Sequence, residues 1–253
     1  MDFTSAPRQG KPIIVSVCEF ESNCLYLKGI EKLFDFEAFE AFLRRPGPWI
    51  GGFDFPFGLP RELVRDLGWP GNWRGLVQFC AGLSRGEWRG ILDGYRATRA
   101  AGRKYAHRAT DLPAGSSSPM KLVNPPVALM FHEGAPRLAE AGVHLPGLCE
   151  GDHSRIALEA YPGLLARRLI GRVSYKNDSK AKQTTARRAA RERIFSQLPI
   201  RTRIRKQLID DASGDSLDAA LCAVQAAWGW RRRRRNFGLP DRIESCEGWI
   251  VSA

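Results

Sequence analysis

The chain has 253 residues, of which 43% are hydrophobic, and carries a formal net charge of +12. That is enough apolar material for one large globular domain, and it excludes collagen, coiled coil and wholesale disorder. No run approaches the ~18 apolar residues of a membrane helix, and the opening Met1-Asp2-Phe3-Thr4-Ser5 has neither the basic nor the apolar region of a secretory signal, so a cytoplasmic protein without membrane partners is expected.

In chain order, the β-branched run 12–20 predicts a strand, and the alternating run 23–29 its hairpin partner. Phe36, Phe39 and Phe42 recur at helical spacing after Asp35, a plausible N-cap, and predict a helix over 35–45. The run 48–55 reads as a buried strand ending at Asp54, because Pro56, Gly58 and Pro60 stop it. The segment 61–153, with Trp69, Trp73, Trp88 and many glycines, reads as an insertion or cap beside the sheet. It holds a basic helix-like run from Tyr95 to Arg108, a loop over 111–119 and an apolar stretch from Val127 to Phe131.

The regular pattern returns with a strand over 155–162, closed by Pro162. Helices are expected over 163–170, 181–197 and 215–230, the last rich in Ala and Leu and opening on acidic residues. A short final strand is expected over 247–251. Hairpin, helix, strand, then strand and helices make an α/β pattern with a mixed sheet.

The six cysteines form no CxxC pair and read as reduced, buried thiols. The four histidines lack the spacing of a zinc helix, so no structural zinc site is expected. No GxxxxGK[ST], GxGxxG or GxSxG motif occurs, which argues against a P-loop NTPase, a dinucleotide oxidoreductase and an α/β-hydrolase.

Positive charge is concentrated in the second half. Residues 167–206 hold 14 Lys and Arg against only Asp178 and Glu192, and Arg231–Arg235 add a second cluster. Such a field attracts phosphates and suits a nucleic-acid partner.

Four acids stand among apolar neighbours: Asp2, Asp54, Glu159 and Asp218, with Asp215 three residues before Asp218. Carboxylates are costly to bury without a cation. If they converge, their repulsion calls for Mg²⁺ or Mn²⁺, and two such ions cleave phosphodiesters. Each acid also has a plainer explanation. Asp215 is a possible N-cap and Asp218 its companion, Asp54 a turn residue, and Glu159 the partner of an arginine.

The stretches Asp2–Pro7, Gly52–Pro60, Arg108–Asp111, Ser118–Lys121, Asn124–Pro126, Glu159–Pro162, Tyr175-Lys176 and Gly214–Ala220 resemble the domain of unknown function 429 family, grouped with predicted nucleases of ribonuclease H-like fold. The resemblance implies a ribonuclease H-like mixed sheet flanked by helices, in a single domain over 1–253 with 61–153 as the insertion. It implies Asp2, Asp54, Glu159 and Asp218 as catalytic acids, these four and Asp215 as ligands for Mg²⁺ or Mn²⁺, and hydrolysis of structured or branched nucleic acid. Lys176, Lys180 and Arg187 are expected to hold backbone phosphates, with Arg108 and Lys121 as further substrate-binding cations, while the tryptophans stack bases or shape the entrance. The alternatives are a non-catalytic nucleic-acid-binding protein of the same fold and a small-molecule phosphotransferase.

Overall fold

The computed structural model describes residues 1–177 and 179–253, with Lys180 described by its backbone only. The chain is mixed α/β. Strands β1 (Ile13–Glu21) and β2 (Cys24–Leu33) form an antiparallel hairpin, turned by Ser22 and Asn23 at positive φ. Helix α1 (Phe36–Leu43) follows, capped by the Asp35 side chain, which accepts a hydrogen bond from Ala38 N at 2.8 Å. It buries Phe39 and Leu43. Strand β3 (Trp49–Phe53) then runs up to Asp54.

Four helices come next: α2 (Arg61–Asp66), α3 (Trp73–Ala81), α4 (Arg85–Ala97) and the one-turn α5 (Asp111–Ala114). Helix α6 (Val127–Ala141) leads to β4 (Val143–His144) and β5 (Asp152–Glu159). The remainder is α7 (Pro162–Ile170), α8 (Thr185–Ser196), β6 (Ile200–Arg201), α9 (Arg205–Asp210) and α10 (Asp215–Arg231).

The strands form two three-stranded sheets, ordered β1-β2-β6 and β3-β5-β4. The first residues of the chain join them. Asp2 exchanges backbone hydrogen bonds with Ile14 on one side, at 2.8 and 3.0 Å. On the other side Asp54 N donates to Met1 O at 3.1 Å and Met1 N donates to Gly52 O at 2.7 Å. Asp2 is thus antiparallel to β1 and parallel to the end of β3, and its carboxylate sits at the seam.

The two largest apolar clusters flank the sheets. One packs Ile13, Val15 and Phe53 with α1, α3, α4 and α6; the other packs Leu25 and Leu27 with α7 to α10. Helix α10 lies directly on β3, since a Cβ on Gly52 would fall 2.3 Å from the Cys222 carbonyl oxygen.

Several sequence expectations need correction. The basic run 95–108 is not a helix: α4 starts ten residues earlier, at a Ser84–Glu87 capping box, and ends at Thr98. Its register is set by buried Trp88, Leu92 and Tyr95, which outweigh the arginines. Strand β5 ends at Glu159, and Pro162 opens α7 rather than closing a strand. The basic helix is shorter than 181–197, because Thr184 caps it. Near the C-terminus, among the described residues, a single bridge between Glu159 and Ile250 replaces the expected strand. Trp73 and Trp88 are 2% and 0% exposed within the same cluster as Phe53, so neither can stack a base. All six cysteines are free, and among the described residues no helix is long and apolar enough to cross a membrane.

Candidate active site

Asp2, Asp54, Glu159, Asp215 and Asp218 all line one cavity of about 640 Å³. The elements that deliver them are distinct: the first residues, the end of β3, the end of β5 and the first turn of α10. Parallel strands put their C-terminal ends side by side, so Phe53 pairs with Glu159 and Asp54 emerges beside it. Among the described residues no three of these carboxylates bring oxygens within 4.8 Å of one another, so the acids share a cavity without collapsing onto one point.

Asp2 and Asp54 form the open part of the site. Among the described residues neither carboxylate accepts a hydrogen bond or forms an ion pair. Burial pushes Asp54 from the ordinary 3.8 up to about 7, with the Asp218 charge adding to the effect. Burial likewise lifts Asp2 well above the carboxylate range; Lys176 opposes this and Asp215, Asp218 and Asp54 reinforce it.

Asp218 is fully buried and held from two sides. Tyr175 donates its hydroxyl to Oδ1 at 2.7 Å, and the Lys176 ammonium pairs with Oδ2. Burial works against the charge on Lys176, yet Asp218 and Asp2 keep it protonated, well above the usual lysine value. Gly214 makes this arrangement possible. It sits at φ +81° before α10, and a Cβ there would stand 2.6 Å from the Lys176 Cβ. Asp215 faces Lys11, whose Nζ is 3.7 Å away, and burial raises its carboxyl against the pull of that ammonium.

Glu159 is closed. Arg108 donates to its two oxygens at 2.6 and 2.8 Å, and Phe57 N adds a third bond at 2.9 Å. The same guanidinium donates to Asp111 at 2.9 and 3.2 Å and to the Glu247 carbonyl at 2.9 Å. These contacts use all five of its N–H donors. Arg108 is therefore not a substrate-binding cation: it has no donor left for a ligand, and it is 2% exposed. Desolvation raises Glu159 even so, while Arg108 and the Phe57 amide pull it back.

The other expected cations diverge. Lys176 lines the cavity, but Lys121 and Arg187 do not. Arg187 turns to Ser174 Oγ at 3.0 Å and to the Lys182 carbonyl. The side chain of Lys180 and all of Asp178 lie outside the described residues. Arg168, Arg172, Arg193, Arg201 and Arg203 are exposed on the basic half, as are Arg231–Arg235.

Sequence reasoning missed three partners: Tyr175, Lys11 and Asp111. A second group also escaped it. His144, Glu150 and His153 gather ligand atoms within 4.8 Å of one another and could hold a metal ion. Burial first, then the neighbouring His153, lowers the His144 ring below the ordinary histidine value. The spacing H-x5-E-x2-H across the β4–β5 connection was the available signal. The chain matches no family model, no curated protein and no solved structure.

Proposed function

We propose that the chain is a divalent-metal-dependent nuclease of ribonuclease H-like architecture. One observation carries the reading: five carboxylates from four separate elements line one cavity, and two of them have no protein partner among the described residues. Unpaired buried anions are unfavourable, and a cation relieves them. The all-oxygen donor set suits Mg²⁺ or Mn²⁺, which commonly use one or two carboxylates and complete their shell with water and substrate phosphate. Asp2 and Asp54 are the residues that would hold such an ion. When bound, it supplies an activated water and stabilises the leaving oxygen of a phosphodiester.

The resemblance to the domain of unknown function 429 family supports the same reading, with acids on a first strand, at a later strand end and on a terminal helix. The roles of the remaining residues differ from those it implies. Glu159 braces the strand end through Arg108 and takes no substrate. Asp218 and Tyr175 hold Lys176, whose side chain is 39% exposed, so that its ammonium faces the cavity for a phosphate oxygen. The exposed arginines of the basic half would hold flanking phosphates without sequence preference.

The test is cleavage of labelled duplex, branched DNA and RNA in Mn²⁺. Asp54→Asn should abolish cleavage and weaken Mn²⁺ binding, read by calorimetry. Binding in metal-free buffer should fall about a thousandfold between 50 and 200 mM salt if six or more phosphates are contacted. Binding with no cleavage of any substrate would favour a non-catalytic nucleic-acid-binding protein.

A further inference from the structure

At the end of β5 opposite Glu159, roughly 20 Å along the strand, a second polar cluster has no part in the acidic cavity. His144 comes from β4, Glu150 from the connecting turn and His153 from the start of β5. Glu150 Oε2 lies 3.5 Å from His144 Nδ1 and 2.9 Å from His153 Nε2. The two imidazoles stack at 4.0 Å between centroids, with 28° between their planes.

His144 is 6% exposed, and its Nδ1 is buried with no hydrogen-bond partner. A buried polar nitrogen in this state costs free energy and calls for an explanation. That nitrogen stands 3.5 Å from Glu150 Oε2 without forming a hydrogen bond to it. Ligand atoms around a tetrahedral ion with bonds near 2.0–2.1 Å stand about 3.3 Å apart, and the two measured separations fall on either side of that value.

We propose that His144, Glu150 and His153 bind one zinc ion. Two imidazole nitrogens and one carboxylate oxygen suit zinc and disfavour Mg²⁺ and Mn²⁺. Glu150 and His153 side chains are 83% and 70% exposed, so water reaches the fourth coordination position. The ion would satisfy His144 Nδ1 and tie β4 to the start of β5. It is a clip at the sheet edge, independent of whether the acidic cavity cleaves nucleic acid.

The experiment uses the full chain, stripped by a chelator and titrated with ZnCl₂ in excess Mg²⁺. Calorimetry should show one zinc equivalent, and zinc should raise the melting temperature because it binds only the folded site. His153→Ala and Glu150→Gln should each weaken zinc binding by about tenfold or more. Both side chains are exposed, so the metal-free melting temperature should not move. Asp54→Asn, in the other site, should keep full zinc binding. Zinc uptake unchanged in both His153→Ala and Glu150→Gln, or no uptake by the wild type, would overturn the assignment.

Discussion

Asp54 and Glu159 leave neighbouring parallel strands one residue apart in register, and both line the same cavity. Glu159 meets a guanidinium on both oxygens and a backbone amide besides. Asp54 meets no donor among the described residues. The difference comes from the segment that folds over each. Residues 106–116 carry Arg108 and Asp111 onto Glu159, with Ser116 Oγ donating to Asp111 at 2.9 Å. Among the described residues no cation bonds to Asp54; the Asp218 and Glu159 charges raise its carboxyl, and Lys176 and the N-terminal ammonium oppose them from a distance. Two carboxylates in one pocket therefore have opposite characters: a neutralised brace and an open anion. Only the second kind is available to a ligand.

Removing the brace should have the largest effect. Arg108→Met would leave Glu159 and Asp111 buried without their cation, at 2% and 0% side-chain exposure. A cost of about 3–5 kcal/mol in urea unfolding is expected. A loss below about 1 kcal/mol would show that Glu159 is as open as Asp54 and erase the contrast.

Asp54→Asn should act in the opposite direction. The native carboxyl is raised from 3.8 to about 7. Between those values the native state binds more protons than the unfolded chain, so stability falls as pH rises through the window. Each unit of displacement corresponds to about 1.4 kcal/mol. The variant should match wild type near pH 4 and be the more stable at pH 8, by chemical unfolding in metal-free buffer. Excess Mn²⁺ should narrow the gap by stabilising the wild type. A difference that stays flat with pH would place a hidden cation beside Asp54.

Asp218 lies between the extremes. It is fully buried but paired with a lysine that is 39% exposed. Asp218→Asn should cost about 1–2 kcal/mol, less than a wholly buried pair, because water still reaches the lysine side chain. Tyr175→Phe removes only the hydroxyl donor, and a smaller loss of about 1 kcal/mol is expected. Both are read by thermal unfolding. A stabilised Asp218→Asn would put this acid with Asp54 among the open anions.

Part of this site was legible in the chain alone. Asp54 before a Pro–Gly–Pro turn, Glu159 ahead of Tyr-Pro, and Asp215 and Asp218 at the start of an Ala-rich run are local patterns, and strand ends and helix starts follow local chemistry. The partner of Glu159 was not legible, because Arg108 stands 51 residues away and reads as one more basic residue. The tryptophans misled for a related reason. Trp88 looks like a stacking platform until α4 turns it inward, with its indole N–H donating to the Ala128 carbonyl at 3.0 Å.

Sequence by itself determined the hairpin, α1 through its phenylalanine spacing, α10 through its composition, and the excess charge of the second half. These depend on side-chain periodicity and on neighbours within a turn or two. Tertiary structure alone decided that Asp2 bridges two sheets, that Arg108 is spent on Glu159 while Asp54 keeps no partner among the described residues, and that His144 meets His153 beside Glu150. A charge in a protein takes its character from the groups that replace its water. Those groups arrive from distant segments, brought together by packing that no local pattern encodes.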